Sequence, residues 1–87
     1  MAKIHKMGES EVFQSCYAAC LQCGYSRGEA GFLSGRVTFR VRSWLSGQGA
    51  GVHEDDVFDR VVSELKGLEE HEVASMYVSR REAPRRI

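Results

Sequence analysis

Residues 52–81 read VHEDDVFDRVVSELKGLEEHEVASMYVSRR, and this stretch decides the architecture. Three acids, Glu54, Asp55 and Asp56, stand just ahead of an apolar series at Val57, Val61 and Leu65. A spacing of four is helical, and the helix dipole favours negative charge in a first turn. Lys66 supplies a cationic last turn, and Gly67 suits a left-handed cap. A second helix follows, with Val73, Ala74, Tyr77 and Val78 on one flank and Arg80 and Arg81 at its end. The stretch predicts a helical hairpin.

Upstream, Ser26 is an N-cap with Glu29 as its capping-box partner. The helix they open runs to about Ser46, with Leu33, Val37, Val41, Trp44 and Leu45 as its stripe. Gly28, Gly31 and Gly35 cost this helix about 1 kcal/mol each relative to alanine. They mark either a break near Ser34 or close contact with a neighbouring backbone. Arg36, Arg40 and Arg42 leave the stripe and form a solvated face. Residues 46–51 are a flexible turn, and Val52 adds a short edge strand. An earlier helix runs from Gln14 or Ser15 to Cys23, and Gly24 ends it. In residues 2–13, AKIHKMGESEVF, Gly8 separates the extended patterns Lys3-Ile4-His5 and Glu11-Val12-Phe13. That predicts a β-hairpin turning near Met7-Gly8-Glu9-Ser10.

The 87 residues make one domain, residues 1–81, with a basic tail at 82–87. Twelve basic and twelve acidic residues cancel, which argues against a nucleic-acid protein with a broad basic face. No apolar run reaches the roughly 18–20 residues that span a bilayer. MAKIHKMGES has no apolar core, so no signal peptide is expected. The three cysteines fall within eight residues, a poor disulfide framework that points to a reducing, cytoplasmic setting.

Cys16-x3-Cys20-x2-Cys23 shares its spacing with the cluster motif of radical enzymes that cleave S-adenosylmethionine. Those enzymes need a large barrel, and this chain is too short for one. The spacing is also helical, so packing of the thiols in a core is expected. A zinc site would need a fourth ligand, and none of His5, His53 and His71 has a paired spacing. No metal site is expected. No nucleophile elbow or phosphate-binding glycine loop is present, and the three acids fan around a helix start. These features point away from an enzyme. The hairpin offers more: His5, Lys6 and the backbone at Gly8 suit phosphate oxygens, and Phe13 and Tyr17 suit a base. The plainer alternative is a basic edge strand with two core aromatics.

The chain from about residue 3 to 81 resembles the ATP-cone domain, the nucleotide-binding regulatory module of ribonucleotide reductases and of their transcriptional repressor. The resemblance rests on Val52 and Val57 followed by Val61 and Leu65. It rests also on Val73-Ala74-Ser75-Met76-Tyr77-Val78-Ser79-Arg80-Arg81, which matches a V-A-x-x-Y-[IV]-x-x-R ending. At the front the family reads V-x-K-R-D-G-x-x-E-x-F, with a lysine four residues on. Here Gly8, Glu11 and Phe13 match, while His5, Lys6, Met7 and Tyr17 replace lysine, arginine, aspartate and the later lysine. A neutral histidine brings no charge to a phosphate, so weakened triphosphate binding is implied.

The resemblance implies an α+β fold, a four-helix bundle capped by a two- or three-stranded sheet. It also implies a non-catalytic, purine nucleotide-binding regulatory domain. ATP or dATP, with or without magnesium, would lie between the hairpin and the first two helices. His5, Lys6 and Gly8 would meet phosphates, Phe13 and Tyr17 would flank the base, and Glu11 would hold a basic partner or a sugar hydroxyl. Binding would shift self-association or docking to a larger protein. The competing expectation is a protein–protein interaction module that keeps such a fold without the nucleotide.

Overall fold

The computed structural model describes residues 9–49 and 51–82. They form four helices: α1 (Glu9–Gln22), α2 (Arg27–Ser46), α3 (Glu54–Gly67) and α4 (His71–Glu82). No strand lies among the described residues, so the fold is an all-helical bundle and the expected α+β architecture is corrected. Lys3-Ile4-His5 and Gly8 lie outside the described residues. Glu11-Val12-Phe13, expected as the second strand of a hairpin, lies within the first two turns of α1. The reason is register. Val12, Cys16, Ala19 and Cys20 recur at i, i+4, i+7 and i+8, and all four are buried. A strand would remove Val12 from that stripe. Val52, expected as an edge strand, is irregular and half-buried.

Local chemistry fixes the helix ends. Ser26 Oγ accepts from the Glu29 amide at 3.1 Å, and a Glu29 carboxylate oxygen accepts from the Ser26 amide at 3.1 Å. This is the expected capping box. At the start of α3 the Asp56 carboxylate accepts from the His53 amide at 3.1 Å. α1 ends in a Schellman motif, with Gly24 at φ 94° and the Tyr25 amide donating to the Cys20 carbonyl at 3.1 Å. α3 ends in the same way, with the Glu70 amide donating to the Leu65 carbonyl at 2.8 Å. There the left-handed residue is Glu69, at φ 64°. Gly67, expected to take that role, is instead the last helical residue. α2 runs unbroken through its glycines. A Cβ at Gly28, Gly31 or Gly35 would meet nothing within 4 Å, so neither a break nor a close neighbour explains them.

Each helix packs on its neighbours in the chain, and α4 closes back on α1. The result measures 38 × 34 × 20 Å. Its core is Val12, Cys16, Ala19 and Cys20 from α1, then Ala30, Leu33, Val37 and Val41 from α2, Val57, Val61 and Leu65 from α3, and Val73, Ala74 and Tyr77 from α4. The largest wholly buried side chains are one leucine and several valines. Each contributes about 1.5–3 kcal/mol of transfer free energy, so this is a modest core. The turns of the two hairpins are tied together, since the Tyr25 phenol donates to the Glu70 carboxylate. Cys23 Sγ adds a contact of 3.6 Å to the Glu72 carbonyl. Among the described residues no helix is long and apolar enough to cross a membrane.

Candidate functional site

His5, Lys6 and Gly8 lie outside the described residues. Glu11, Phe13 and Tyr17 all sit on α1, Glu11 exposed and the two rings half-buried. Phe13 and Tyr17 stack on each other, with centroids 5.9 Å apart and planes 15° from parallel. They form one ledge, without a slot for a base between them. Tyr17 packs against the core cluster. The structure thus brings two of the expected site residues into contact and places Glu11 on the same helix.

Cys16 and Cys20 are fully buried, and the three thiols are free. Among the described residues no group of three or more metal-ligating side chains converges. Burial pushes the Cys16 thiol up, against the Ser34 hydroxyl beside it. Burial, with the neighbouring Cys16, pushes Cys20 up to about 12. Cys23 is raised as well, by burial and then by Glu72 and Glu70. Neutral thiols of this kind are poor nucleophiles and poor metal ligands. Ser34 Oγ is buried beside the Cys16 and Cys20 thiols, with no hydrogen-bond partner among the described residues.

One cavity of about 280 Å³ opens where α1, α3 and α4 meet, lined by Ser15, Glu54, Phe58, Tyr77, Arg80 and Arg81. Its floor is the stacked pair Phe58 and Tyr77, with centroids 5.3 Å apart. The hydroxyls of Ser15 and Tyr77 share a hydrogen bond of 3.1 Å. Arg81 lies over Phe58, 4.2 Å from the ring centroid, and is anchored by the Asp55 carboxylate. Arg80 reaches Gln22 at 3.4 Å, a long contact that leaves its guanidinium only lightly held. The cavity thus combines an aromatic floor with cationic walls, but Glu54 also borders it.

The side of α2 turned away from the core carries the more unusual feature. Phe32 is 69% exposed and Phe39 is 63% exposed. They are seven residues apart, and Gly28 and Gly35 alternate with them at steps of four and three. That is one straight seam along a helix of 20 residues. Beside it, Arg36 lies 6.0 Å from the Phe32 ring centroid. A groove of about 430 Å³ borders this seam, lined by Tyr25, Glu29, Phe32, Leu33, Arg36, Leu68 and Glu70. Further round the same flank, α2 is bound into the bundle. Arg40, expected as merely solvated, donates from Nε to Glu64 Oε1 at 2.6 Å. Arg60 meets the other Glu64 oxygen at 2.9 Å and lies 5.4 Å from the Trp44 ring centroid.

The two phenylalanines escaped the sequence reading because apolar residues on an amphipathic helix are assigned to its core. The signal was the second apolar row, with its own 4-3-4 spacing alternating glycine and phenylalanine.

No protein family, curated protein or solved structure matches this chain. The surfaces just described therefore carry the functional argument by themselves.

Proposed function

We propose that the chain is a non-catalytic interaction module that binds another protein through the outer face of α2. One observation carries this reading: Phe32 and Phe39 hold most of their ring surface in water, in line along one helix. Isolated apolar residues on a surface are ordinary, but an aligned aromatic row marks a contact site. Aromatic side chains also dominate the energetics of such contacts. Neither ring supports the bundle, since both point away from the core cluster. The double variant Phe32→Ser/Phe39→Ser is therefore expected to keep its helicity and melting temperature. It is expected to lose every protein, further copies of the chain included, that the wild-type chain captures. Recovery of the same proteins with both chains would end the reading.

A second reading has its own observation, the cavity over Phe58 and Tyr77 with Arg80 at its wall. Aromatic floor plus guanidinium suits a small anionic aromatic ligand, and a purine nucleotide belongs to that class. Ligand pockets for drug-sized molecules span about 300–1,000 Å³, so this one accepts a ring system but not a whole nucleoside triphosphate. For that reason it ranks second. Calorimetry with ATP and dATP, repeated on Arg80→Ala, tests it. Heat that disappears in the variant supports the site, and no heat at millimolar nucleotide removes it.

A further inference from the structure

The partner of the α2 face can be named from the face itself. We infer that it is the α2 face of a second copy of this chain, packed antiparallel about a two-fold axis. This rests on the reading of α2 as the interaction surface and specifies its occupant.

Side-chain size sets the pairing. Along the seam the residues alternate Gly28, Phe32, Gly35, Phe39, small then large. When two such helices run antiparallel with the axis between residues 33 and 34, residue i faces residue 67 − i. Phe32 then faces Gly35 of the second copy, and Phe39 faces Gly28. Every ring meets a gap. In a parallel pair in the same register, ring would meet ring and gap would meet gap. The gaps are real, since a Cβ at Gly28 or Gly35 would touch nothing within 4 Å. Knobs therefore enter holes without any rearrangement of the bundle.

Charge gives the same answer independently. Glu29 and Arg36 lie seven residues apart on one flank of the seam, both exposed. The antiparallel register sets Arg36 of the second copy opposite residue 31, about 3 Å along the axis from Glu29. Opposite charges then face each other twice, once on each side of the axis. The Glu29 carboxylate gives one oxygen, Oε1, to the Ser26 amide and keeps the other for this contact. A parallel pair would place these flanks on opposite sides of the seam, out of reach of each other. The groove lined by Glu29, Phe32, Leu33 and Arg36 borders the same flank, at the level where Phe39 of the second copy arrives.

Extent sets the strength. A stable interface covers roughly 800 Å² on each partner, and one helix face supplies less. The pair is thus a reversible dimer, populated at high micromolar concentration and dissociated on dilution. Because the contact is isologous, assembly stops at two.

Sedimentation equilibrium of the full chain, from low micromolar to low millimolar, is expected to show monomer passing to dimer and nothing larger. Gly35→Leu fills a gap and is expected to raise the dissociation constant roughly tenfold or more. Its helicity should be unchanged, because nothing in the bundle touches that position. Glu29→Lys and Arg36→Glu are each expected to be monomeric, and an equimolar mixture of the two to dimerise again. Wild type that stays monomeric at millimolar concentration would overturn the proposal. So would dimerisation of Gly35→Leu at wild-type strength, or a mixture of charge variants that stays monomeric. A photoreactive phenylalanine at position 39 separates this proposal from the reading beneath it. An adduct of twice the chain mass supports the second copy. Adducts with other proteins alone would overturn the second copy and leave the α2 face as an interaction site. No adduct at all would overturn both.

Discussion

Glu69 is the only non-glycine residue at positive φ among the described residues, and it occupies the left-handed position that ends α3. A side chain there costs about 1–2 kcal/mol, and glycine gives back about 0.5–1 kcal/mol of that through its looser unfolded chain. Glu69→Gly is therefore expected to stabilise the bundle by about 0.5–1 kcal/mol, measured by urea unfolding. The exposed carboxylate has no role in the core, so an unchanged midpoint would mean that the turn has relaxed in solution. Residue type explains why this position was not legible in the sequence. Glycine is the usual mark of a left-handed cap, and Gly67 drew the assignment two residues early. At Gly24 the same mark was correct, because there glycine and the left-handed conformation coincide.

Elements were legible where a cap and a stripe agree. Ser26 and Glu29 announce α2, and the acids at 54–56 announce α3, because each motif satisfies backbone donors that would otherwise be orphaned. The expected start of α1, at Gln14 or Ser15, is five or six residues late. Gly8 and the valine and phenylalanine beside Glu11 favour a strand locally, but burial of Val12 on the Cys16 face outweighs that preference. The candidate binding face was hidden for another reason. α2 carries two apolar rows, and periodicity alone cannot say which one the bundle uses.

The join between α2 and α3 makes its own prediction. Glu64, nearly buried, holds Arg40 from α2 and Arg60 from the preceding turn of its own helix. Both guanidinium groups reach water, which reduces what the pair contributes. Glu64→Gln keeps the shape and removes the charge. It is expected to cost about 1–2 kcal/mol in chemical unfolding, with the loss shared by Arg40→Gln in a double-mutant cycle. Additive losses would show that the two side chains do not interact.

For the molecule as a whole, the buried thiols set the response to pH. The ordinary thiol value is 9.0, and in the folded chain Cys16 and Cys20 are raised above it, chiefly by burial. Above pH 9 the unfolded chain releases these protons while the folded chain retains them, so stability falls as pH rises. Below pH 9 both forms keep them and no such slope exists. Tyr25, raised by its hydrogen bond to Glu70, and Tyr77, raised by burial, extend the fall above pH 10.0. Thermal melts are expected to be level from neutral pH to about 9 and to decline beyond it. The decline should be shallower in Cys16→Ala/Cys20→Ala. An equal alkaline decline in that variant would assign the effect to the tyrosines and Cys23.

Because α4 returns to α1, the helices form a closed circuit, and a closed circuit has no privileged starting point. The hydroxyl pair of Ser15 and Tyr77 joins the middle of the first helix to the middle of the last, six residues from the head of one and five from the tail of the other. A permutant spliced between those ends and severed in the glycine-rich link at 47–51 would traverse the same four rods in the order α3, α4, α1, α2. Each contact in the core would survive the reordering. The expected outcome is an unchanged circular dichroism spectrum and a cooperative melt. The seam of α2 would then lie at the tail of the chain, where a fluorophore or a fused domain can be attached directly beside it.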